Sequence, residues 1–276
     1  MKRPRIRTVF LGLLGMLVAF YAFGALSLAM RDDSIETFTG VPATLETVAI
    51  FGASGTTGDG ILKAALAAPE IGTIRVFTRR VTPRMEEGVA AGKVQVTLHM
   101  DYLDYAPIHA QLTDVDAVYW AIGITARGAD EATYRRIHTD FPRRFVEEWT
   151  RVSTRPGISF HFISSSDISE DSGMMWVREK IRAEKTLFGF AEGTGLRVIA
   201  YRPDYIGPTE EEAHIGQRML YGFFAPLGAA VKATQIGQAM IEVTARGDEF
   251  ENGDKLGTWN IRRHSDAYEQ RLKLAE

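Results

Sequence analysis

The sequence contains no cysteine among its 276 residues. Disulfide bonds, thiolate catalysis and cysteine-ligated metals are therefore excluded. The net charge is only −3, which lacks the basic excess of a nucleic-acid-binding domain. The six histidines are scattered along the chain without the spacing of metal ligands, and neither a G-x-S-x-G elbow nor a P-loop lysine occurs. We expect no metal site and no nucleic-acid partner.

One long segment lacks charge altogether. It runs from Thr8 to Met30 and is rich in leucine, phenylalanine, alanine and glycine. A membrane-spanning helix needs about 20 apolar residues, so residues 1–30 are predicted to form a single-pass anchor in a lipid bilayer. A cleaved signal stays open, because Ser27-Leu28-Ala29 has the small-x-small pattern of a cleavage site. The charged residues that flank the segment are Lys2, Arg3, Arg5 and Arg7 before it and Arg31, Asp32 and Asp33 after it.

Beyond a polar linker at 31–45, apolar strands and helices alternate. This pattern predicts an α/β fold with a doubly wound parallel sheet over residues 46–208, followed by a small C-terminal substrate or cap region at 209–276. The predicted strands are Thr47–Phe51, Thr73–Thr78, Val94–Leu98, Ala117–Ala121, Ser159–Ser164 and Leu196–Tyr201, and the predicted helices are Gly60–Ala68, Asp130–Arg151, Met174–Glu192 and Thr234–Arg246, with a short apolar piece at Thr258–Ile261.

The first predicted strand runs directly into a glycine-rich loop that opens a helix. In this context the Gly52-x-x-Gly55-x-x-Gly58 pattern indicates a dinucleotide-binding site. Gly52 suits a tight turn, Gly55 lets the backbone approach a pyrophosphate, and Gly58 lets the helix pack close to the sheet. The helix N-terminus favours an anion. Hydroxyl groups that can add contacts belong to Ser54, Thr56 and Thr57.

The end of the second predicted strand indicates which dinucleotide is bound. NAD-binding sites usually place an acidic residue about 20 residues beyond the loop, on the ribose 2′-hydroxyl. Here that place holds Arg79 and Arg80. Guanidinium groups bind a 2′-phosphate through bidentate hydrogen bonds, so NADP(H) is favoured, with NAD as the alternative. Two arginines that only solvate a loop would leave the same pattern.

Two further strand ends are expected beside the cofactor. Asp101 follows the third strand and can accept a hydrogen bond from an adenine amino group, or it can cap the next helix. Ala121 and Gly123 follow the fourth strand, where small residues allow the backbone to approach the adenosine.

These features together resemble the atypical and extended short-chain dehydrogenase/reductases over roughly residues 46–208. The likeness is strongest to NAD(P)-binding Rossmann domains of the Tat-interacting-protein type, with sugar-nucleotide epimerases and dehydratases as wider relatives. The resemblance implies an NAD(P)-dependent oxidoreductase that acts on an unidentified small molecule. The segments that carry it are Gly52–Gly58, Arg79-Arg80, Ala121–Gly123, Ser164–Ser166, Tyr201–Pro203 and Tyr205–Pro208.

The resemblance also implies three catalytic positions. A serine after the fifth strand orients the substrate oxygen, which here is Ser166 or its neighbour Ser165. A lysine binds the nicotinamide ribose and lowers the pKa of a tyrosine four residues before it; Lys180 matches the lysine. Trp176 occupies the place of the tyrosine. An indole N–H donates a hydrogen bond but does not exchange a proton as a tuned phenol does.

Trp176 leaves several interpretations open. An enzyme could use another acid, for which Asp167, Tyr201 and Tyr205 are candidates. The domain could instead bind NADP(H) without turnover, as a sensing module, or it could be an epimerase-like isomerase. Lys180 could equally be a solvated residue of a charged helix.

Two further features bear on the surroundings of the domain. Basic residues before the apolar segment predict that the domain lies outside the cytoplasm, whereas a nicotinamide cofactor argues for the cytoplasmic side, so the face of the membrane stays open. The aromatic stretch 221–227 suits a substrate lid, a dimer face, a second membrane contact or ordinary core packing.

Overall fold

The computed structural model describes residues 6–30, 45–211 and 214–275, together with Ile35, Phe38, Gly40, Pro42 and Ala43. Most of the charged residues that flank the apolar segment, and most of the linker, lie outside this set. The strands are β1 (Thr47–Phe51), β2 (Thr73–Thr78), β3 (Val94–Leu98), β4 (Ala117–Trp120), β5 (Ser159–Ile163), β6 (Arg197–Arg202), β7 (Tyr205–Gly207), β8 (Ala230–Lys232) and β9 (Lys255–Gly257). The helices are α1 (Ile6–Ala29), α2 (Thr56–Ala67), α3 (Pro83–Ala90), α4 (Glu131–Arg135), α5 (Phe141–Val152), α6 (Met175–Ala191), α7 (Ile215–Phe224), α8 (Ala233–Ala245) and α9 (Thr258–Ala275).

Apolar strands form one parallel sheet in the order β3-β2-β1-β4-β5-β6-β9. The residues of β1 and β4 are buried throughout, because α2, α8 and α9 cover one face and α5 and α6 the other. The strand order reverses between β1 and β4, which creates the crevice where α/β sheets bind ligands. The predicted doubly wound α/β fold is confirmed.

Glycines let α2 and α8 approach unusually closely. A Cβ on Gly60 would lie 2.3 Å from the Cβ of Ala233, and one on Gly237 would lie 2.7 Å from the Cβ of Ala64. Both distances are shorter than real side-chain contacts, so the two helices pack backbone against backbone. This contact fixes the helix that follows the glycine loop.

The region predicted to be a C-terminal cap is integrated into the sheet. β9 pairs in parallel with β6, and the piece predicted at Thr258–Ile261 is the first turn of α9. A three-residue strand whose partner lies more than fifty residues away leaves little periodic signal in the sequence.

The helix predicted at Asp130–Arg151 is present as a continuous helical segment, but it is not α-helical throughout. A π-helical turn at Arg136–Asp140 separates α4 from α5, and the N–H of Phe141 donates to the carbonyl of Arg136, five residues back. Pro142 explains the break, because it has no N–H to donate to the carbonyl of His138.

The N-terminal helix is mostly exposed, and only Tyr21, Gly24, Ala25 and Leu28 are partly covered among its residues whose burial is described. Val9–Ala29 has a mean hydropathy of 2.3, and none of the span is buried in the protein. Its length and composition suit a membrane anchor or a signal sequence.

A buried polar network links β5, β6 and α8. The Nδ1 atom of His161 lies 3.0 Å from the hydroxyl of Tyr201, and its Nε2 atom lies 2.9 Å from Ser159 Oγ and 3.0 Å from Thr244 Oγ1. Burial lowers the pKa of His161 to about 3. Burial also lowers the pKa of His138 to about 3 and that of His264 to about 4.

We expect acid to destabilise the fold through these histidines. Below the ordinary histidine pKa of 6.5, the unfolded chain binds protons that the folded chain excludes, so the free energy of unfolding falls as the pH drops towards 4. Each histidine contributes about 1.4 kcal/mol per pH unit. Urea unfolding of the full chain in detergent, at several pH values, measures the slope. His161→Gln should reduce the slope of the free energy of unfolding against pH by the contribution of one proton. An unchanged slope would contradict the low pKa assigned to His161.

Candidate functional site

The glycine loop lies at the carboxyl end of β1, in the crevice between β1 and β4. Gly52 has a φ of +82°, and a Cβ there would lie 2.6 Å from the carbonyl carbon of Ala121. A Cβ on Gly58 would lie 2.1 Å from the carbonyl oxygen of Gly52. The fold itself therefore requires both glycines.

Gly55 differs from these two glycines. Its φ of −102° and ψ of 164° suit any residue, and a Cβ there would meet only the carbonyl oxygen of Gly52, at an ordinary 3.5 Å. No side chain caps the helix at this residue, so the N–H groups of the first turn of α2 have no side-chain acceptor there. The glycine at this position leaves space for a bound ligand to approach the backbone. The N-terminus of α2 favours a ligand group that is anionic.

Two cavities flank the loop and share part of their walls. Both are lined by Gly55 and by residues 121–123 at the end of β4. The arginine cavity, of about 280 Å³, is completed by Gly52, Ser54, Thr78, Arg79, Arg80 and Tyr102. The lysine cavity, of about 270 Å³, is completed by Thr56, Thr57, Ile124, Thr125, His138, Ile163 and Lys180.

The arginine cavity carries the positive charge that the sequence predicts. Arg79 and Arg80 are both exposed at the end of β2, and neither forms an ion pair with any residue that the structure describes. Arg80 donates to the carbonyl oxygen of Ser54 at 3.0 Å, which ties it to the glycine loop. This wall can hold a phosphate through charge-assisted hydrogen bonds.

Lys180 is buried rather than solvated, unlike the other basic residues of α6. Only 8% of its surface is exposed, and its ammonium group donates to the carbonyl oxygen of Ile163 at 2.9 Å. Burial lowers the pKa of Lys180 to about 8. The lysine cavity therefore contains an amine that titrates close to neutral pH.

His138 is a cavity residue that the sequence analysis missed. The π-helical turn directs its ring to Gly123, where a Cβ would lie 2.9 Å from His138 Cε1, and its Nε2 atom lies 3.2 Å from the N–H nitrogen of Ile124. Burial, and then the charge of Lys180, keep the pKa of His138 low, so the ring is neutral. Pro142 gave the only sequence signal, because it interrupts the helix just after this histidine.

Three predicted residues do not line either cavity. Ser166 and Trp176 are half-buried, Trp176 in the first turn of α6. Asp101 is exposed, and its carboxylate accepts the N–H of Leu103 at 2.9 Å, which forms a local turn rather than a helix cap. The structure thus brings the loop, both arginines, Ala121, Gly123 and Lys180 together, but not these three.

The alternative acids lie in different surroundings. Tyr201 is fully buried in the His161 network, and burial raises its pKa well above 10, so Tyr201 is wrong as a replacement acid. Asp167 is exposed. Tyr205 is half-buried in β7, with its ring 5.8 Å from that of Phe224.

A second serine near the predicted one has a structural role. Ser164 donates to Glu184 at 2.6 Å, and Arg202 donates to the same carboxylate at 2.8 Å. This buried cluster holds α6 against the carboxyl ends of β5 and β6. It helps to fix the helix that carries Lys180.

No protein-family model matches the chain. A curated relative, "Protein fmp52-1, mitochondrial" from Aspergillus terreus, is 26% identical over 199 residues, which cover 68% of this chain and 80% of the relative.

Solved structures of similar fold include several short-chain dehydrogenase/reductases. A 3-oxoacyl-(acyl-carrier protein) reductase from Brucella melitensis in complex with NAD gives a TM-score of 0.61 at 17% identity, covering 80% of this chain and 98% of that one. A short-chain dehydrogenase/reductase from Serratia marcescens gives a TM-score of 0.60 at 15% identity, covering 78% of this chain and 97% of that one. BdcA in complex with NADPH gives a TM-score of 0.58 at 16% identity, covering 78% of this chain and 93% of that one. The chain has the short-chain dehydrogenase/reductase fold, and the predicted resemblance is confirmed at that level.

The glycine geometry makes a contrasting prediction for two alanine variants. Gly58→Ala should lower the free energy of unfolding by roughly 1–3 kcal/mol, although alanine is the better helix former, because its Cβ meets the Gly52 carbonyl. Gly55→Ala should cost less than about 1 kcal/mol. Urea unfolding of both variants in detergent measures the difference, and equal losses would contradict the assigned roles.

Proposed function

We propose that the chain is a membrane-anchored, NADP(H)-binding oxidoreductase of the atypical short-chain type. The proposal depends mainly on the pair of cavities that meet at Gly55. One has two guanidinium groups without an ion-pair partner among the described residues, and the other has a buried amine. A dinucleotide has two ends of different chemistry joined by a pyrophosphate, which matches this arrangement. The solved structures of the same fold that contain NAD or NADPH support the proposal by likeness.

The residues fit the proposed cofactor in three places. The uncapped first turn of α2 and the bare backbone at Gly55 would hold the pyrophosphate. Arg79 and Arg80 would hold a ribose 2′-phosphate, for which no carboxylate competes in the arginine cavity. Lys180 would hold the nicotinamide ribose. When bound, the nicotinamide supplies or accepts a hydride.

The chain must also hold the substrate oxygen and move a proton to or from it. The resemblance assigns the orienting of that oxygen to Ser166, although Ser166 lines neither cavity. Trp176 exchanges no proton. The pKa of His138 is low, so its ring is unprotonated near neutral pH and has no imidazolium proton to give. Lys180, with a pKa of about 8, is suited to give or accept the proton near neutral pH. The substrate is a small carbonyl or hydroxyl compound.

A second function is favoured by one observation. Trp176 stands where the resemblance implies a tyrosine, and it does not line the lysine cavity. A domain that binds NADP(H) without turnover, and senses it, needs no such tyrosine.

Cofactor preference tests the binding part of the proposal. The full chain in detergent should enhance NADPH fluorescence at lower concentration than NADH fluorescence. Arg79→Ala combined with Arg80→Ala should weaken NADPH binding by about 10- to 100-fold and leave NADH binding nearly unchanged. Arg151→Ala, an exposed arginine at the end of α5, is the matched control. Equal affinities of wild type for both cofactors would exclude the assigned 2′-phosphate site.

Turnover separates the two functions. Wild type should consume NADPH with a panel of aldehydes and ketones, and Lys180→Met should lower kcat by about 10²–10⁴-fold, whereas Lys185→Met, on the exposed face of α6, should not. If wild type is inactive while Trp176→Tyr is active, the natural protein is a binding module. Wild-type turnover that survives Lys180→Met would remove the proposed role of that lysine.

A further inference from the structure

Helix α7 presents an apolar face away from the domain. Ile215, Met219 and Phe223 are 79%, 71% and 49% exposed, and their spacing of four residues places them on one side of the helix. No residue of α7 is buried. Core packing, one of the interpretations of the stretch 221–227, therefore does not describe α7.

The opposite side of α7 fastens the helix to the domain. The ring of Tyr221 packs against Gly207, where a Cβ would lie 2.6 Å from Tyr221 Cδ2. Arg218 donates to the carbonyl oxygen of Glu210 at 3.1 Å. The apolar side chains are thus held outward by contacts on the other side.

The outward face of α7 continues onto α1. The rings of Tyr21 and Phe223 are 5.6 Å apart, and the Tyr21 hydroxyl donates to the carbonyl of Gly222 at 3.3 Å. Just beyond α7, a Cβ on Gly228 would lie 3.0 Å from Leu28 Cδ1. Contacts therefore follow α1 from Tyr21 to Leu28, the part of the apolar helix nearest the domain.

The position of these contacts along α1 indicates that lipid covers the apolar face of α7. The apolar span of α1 has 21 residues, which corresponds to about 30 Å, the thickness of a bilayer core. A surface joined to the domain end of such a span lies at the level of one bilayer surface. Tyr21, where the two helices touch, lies eight residues inside the domain end of the span, which corresponds to a depth of about 12 Å.

We infer that α7 is an interfacial helix whose Ile215, Met219 and Phe223 side chains insert into the same bilayer surface that α1 enters. Amphipathic helices of this kind lie parallel to the membrane with the apolar face buried about 5–10 Å into the boundary between headgroups and acyl chains. The inference rests on the proposed anchoring by α1. If α7 inserts in this way, the domain contacts the bilayer through α7 as well as through α1.

The absence of cysteine makes site-specific labelling direct. Met219→Cys, Met16→Cys in α1 and Val89→Cys on the exposed surface of α3 each receive one nitrobenzoxadiazole group. The labelled full chain is placed in phosphatidylcholine nanodiscs. Nitroxide lipids should quench the label at 219 about twofold or more above the label at 89, and iodide in the water should quench it correspondingly less.

The three positions distinguish the possible failures. A label at 219 that iodide quenches as strongly as the label at 89 overturns the inference. A label at 219 protected from both quenchers also overturns it, because a protein surface then covers the face. If the label at 16 escapes the nitroxide lipids, the proposed anchoring fails as well; if only the label at 219 escapes them, the anchoring stands and the inference alone fails.

Discussion

The close approach of Gly58 to the carbonyl of Gly52 is the constraint on which the site depends. It fixes where α2 begins, and so where the free N–H groups of its first turn point. Gly60 and Gly237 then carry the same close packing to α8. Because these contacts are between backbone atoms, no side-chain rearrangement can relieve a change. The loop is a rigid part of the fold, and only its outer residue, Gly55, is left without a neighbour that requires glycine.

The chemistry around this rigid loop is asymmetric. The arginine cavity is open and positively charged, whereas the lysine cavity contains a buried amine and a buried neutral imidazole. Burial disfavours the charged form of both His138 and Lys180, and the charge of Lys180 lowers the pKa of His138 further. A cavity built in this way suits a neutral ring better than a phosphate, while the arginine cavity suits a phosphate. Trp176 limits the conclusion, because an intact cofactor site does not by itself supply proton transfer.

The proposed membrane surface and the proposed cofactor site are physically connected. The segment before α7 reaches α2 through Thr209, which donates to the buried carboxylate of Asp59 at 3.0 Å, and Arg84 of α3 donates to the same carboxylate at 2.7 Å. A helix lying on the bilayer would therefore hold the glycine loop at a defined distance from the lipid.

The sequence by itself determined the sheet, the glycine loop and the charge of the arginine cavity. Strand periodicity and the Gly52–Gly58 spacing are local signals, and β1, β2 and β3 were predicted to the residue. Tertiary structure decided the rest. The π-helical turn before Pro142 brought His138 to the cavity of Lys180, and β9 joined β6 from a distant part of the chain. Burial decided that Lys180 is a cavity amine rather than a solvated helix residue. Tertiary packing also left no residue of the stretch 221–227 buried and placed this stretch beside α1. These outcomes depend on contacts between segments far apart in the chain, which the order of residues within one segment does not encode.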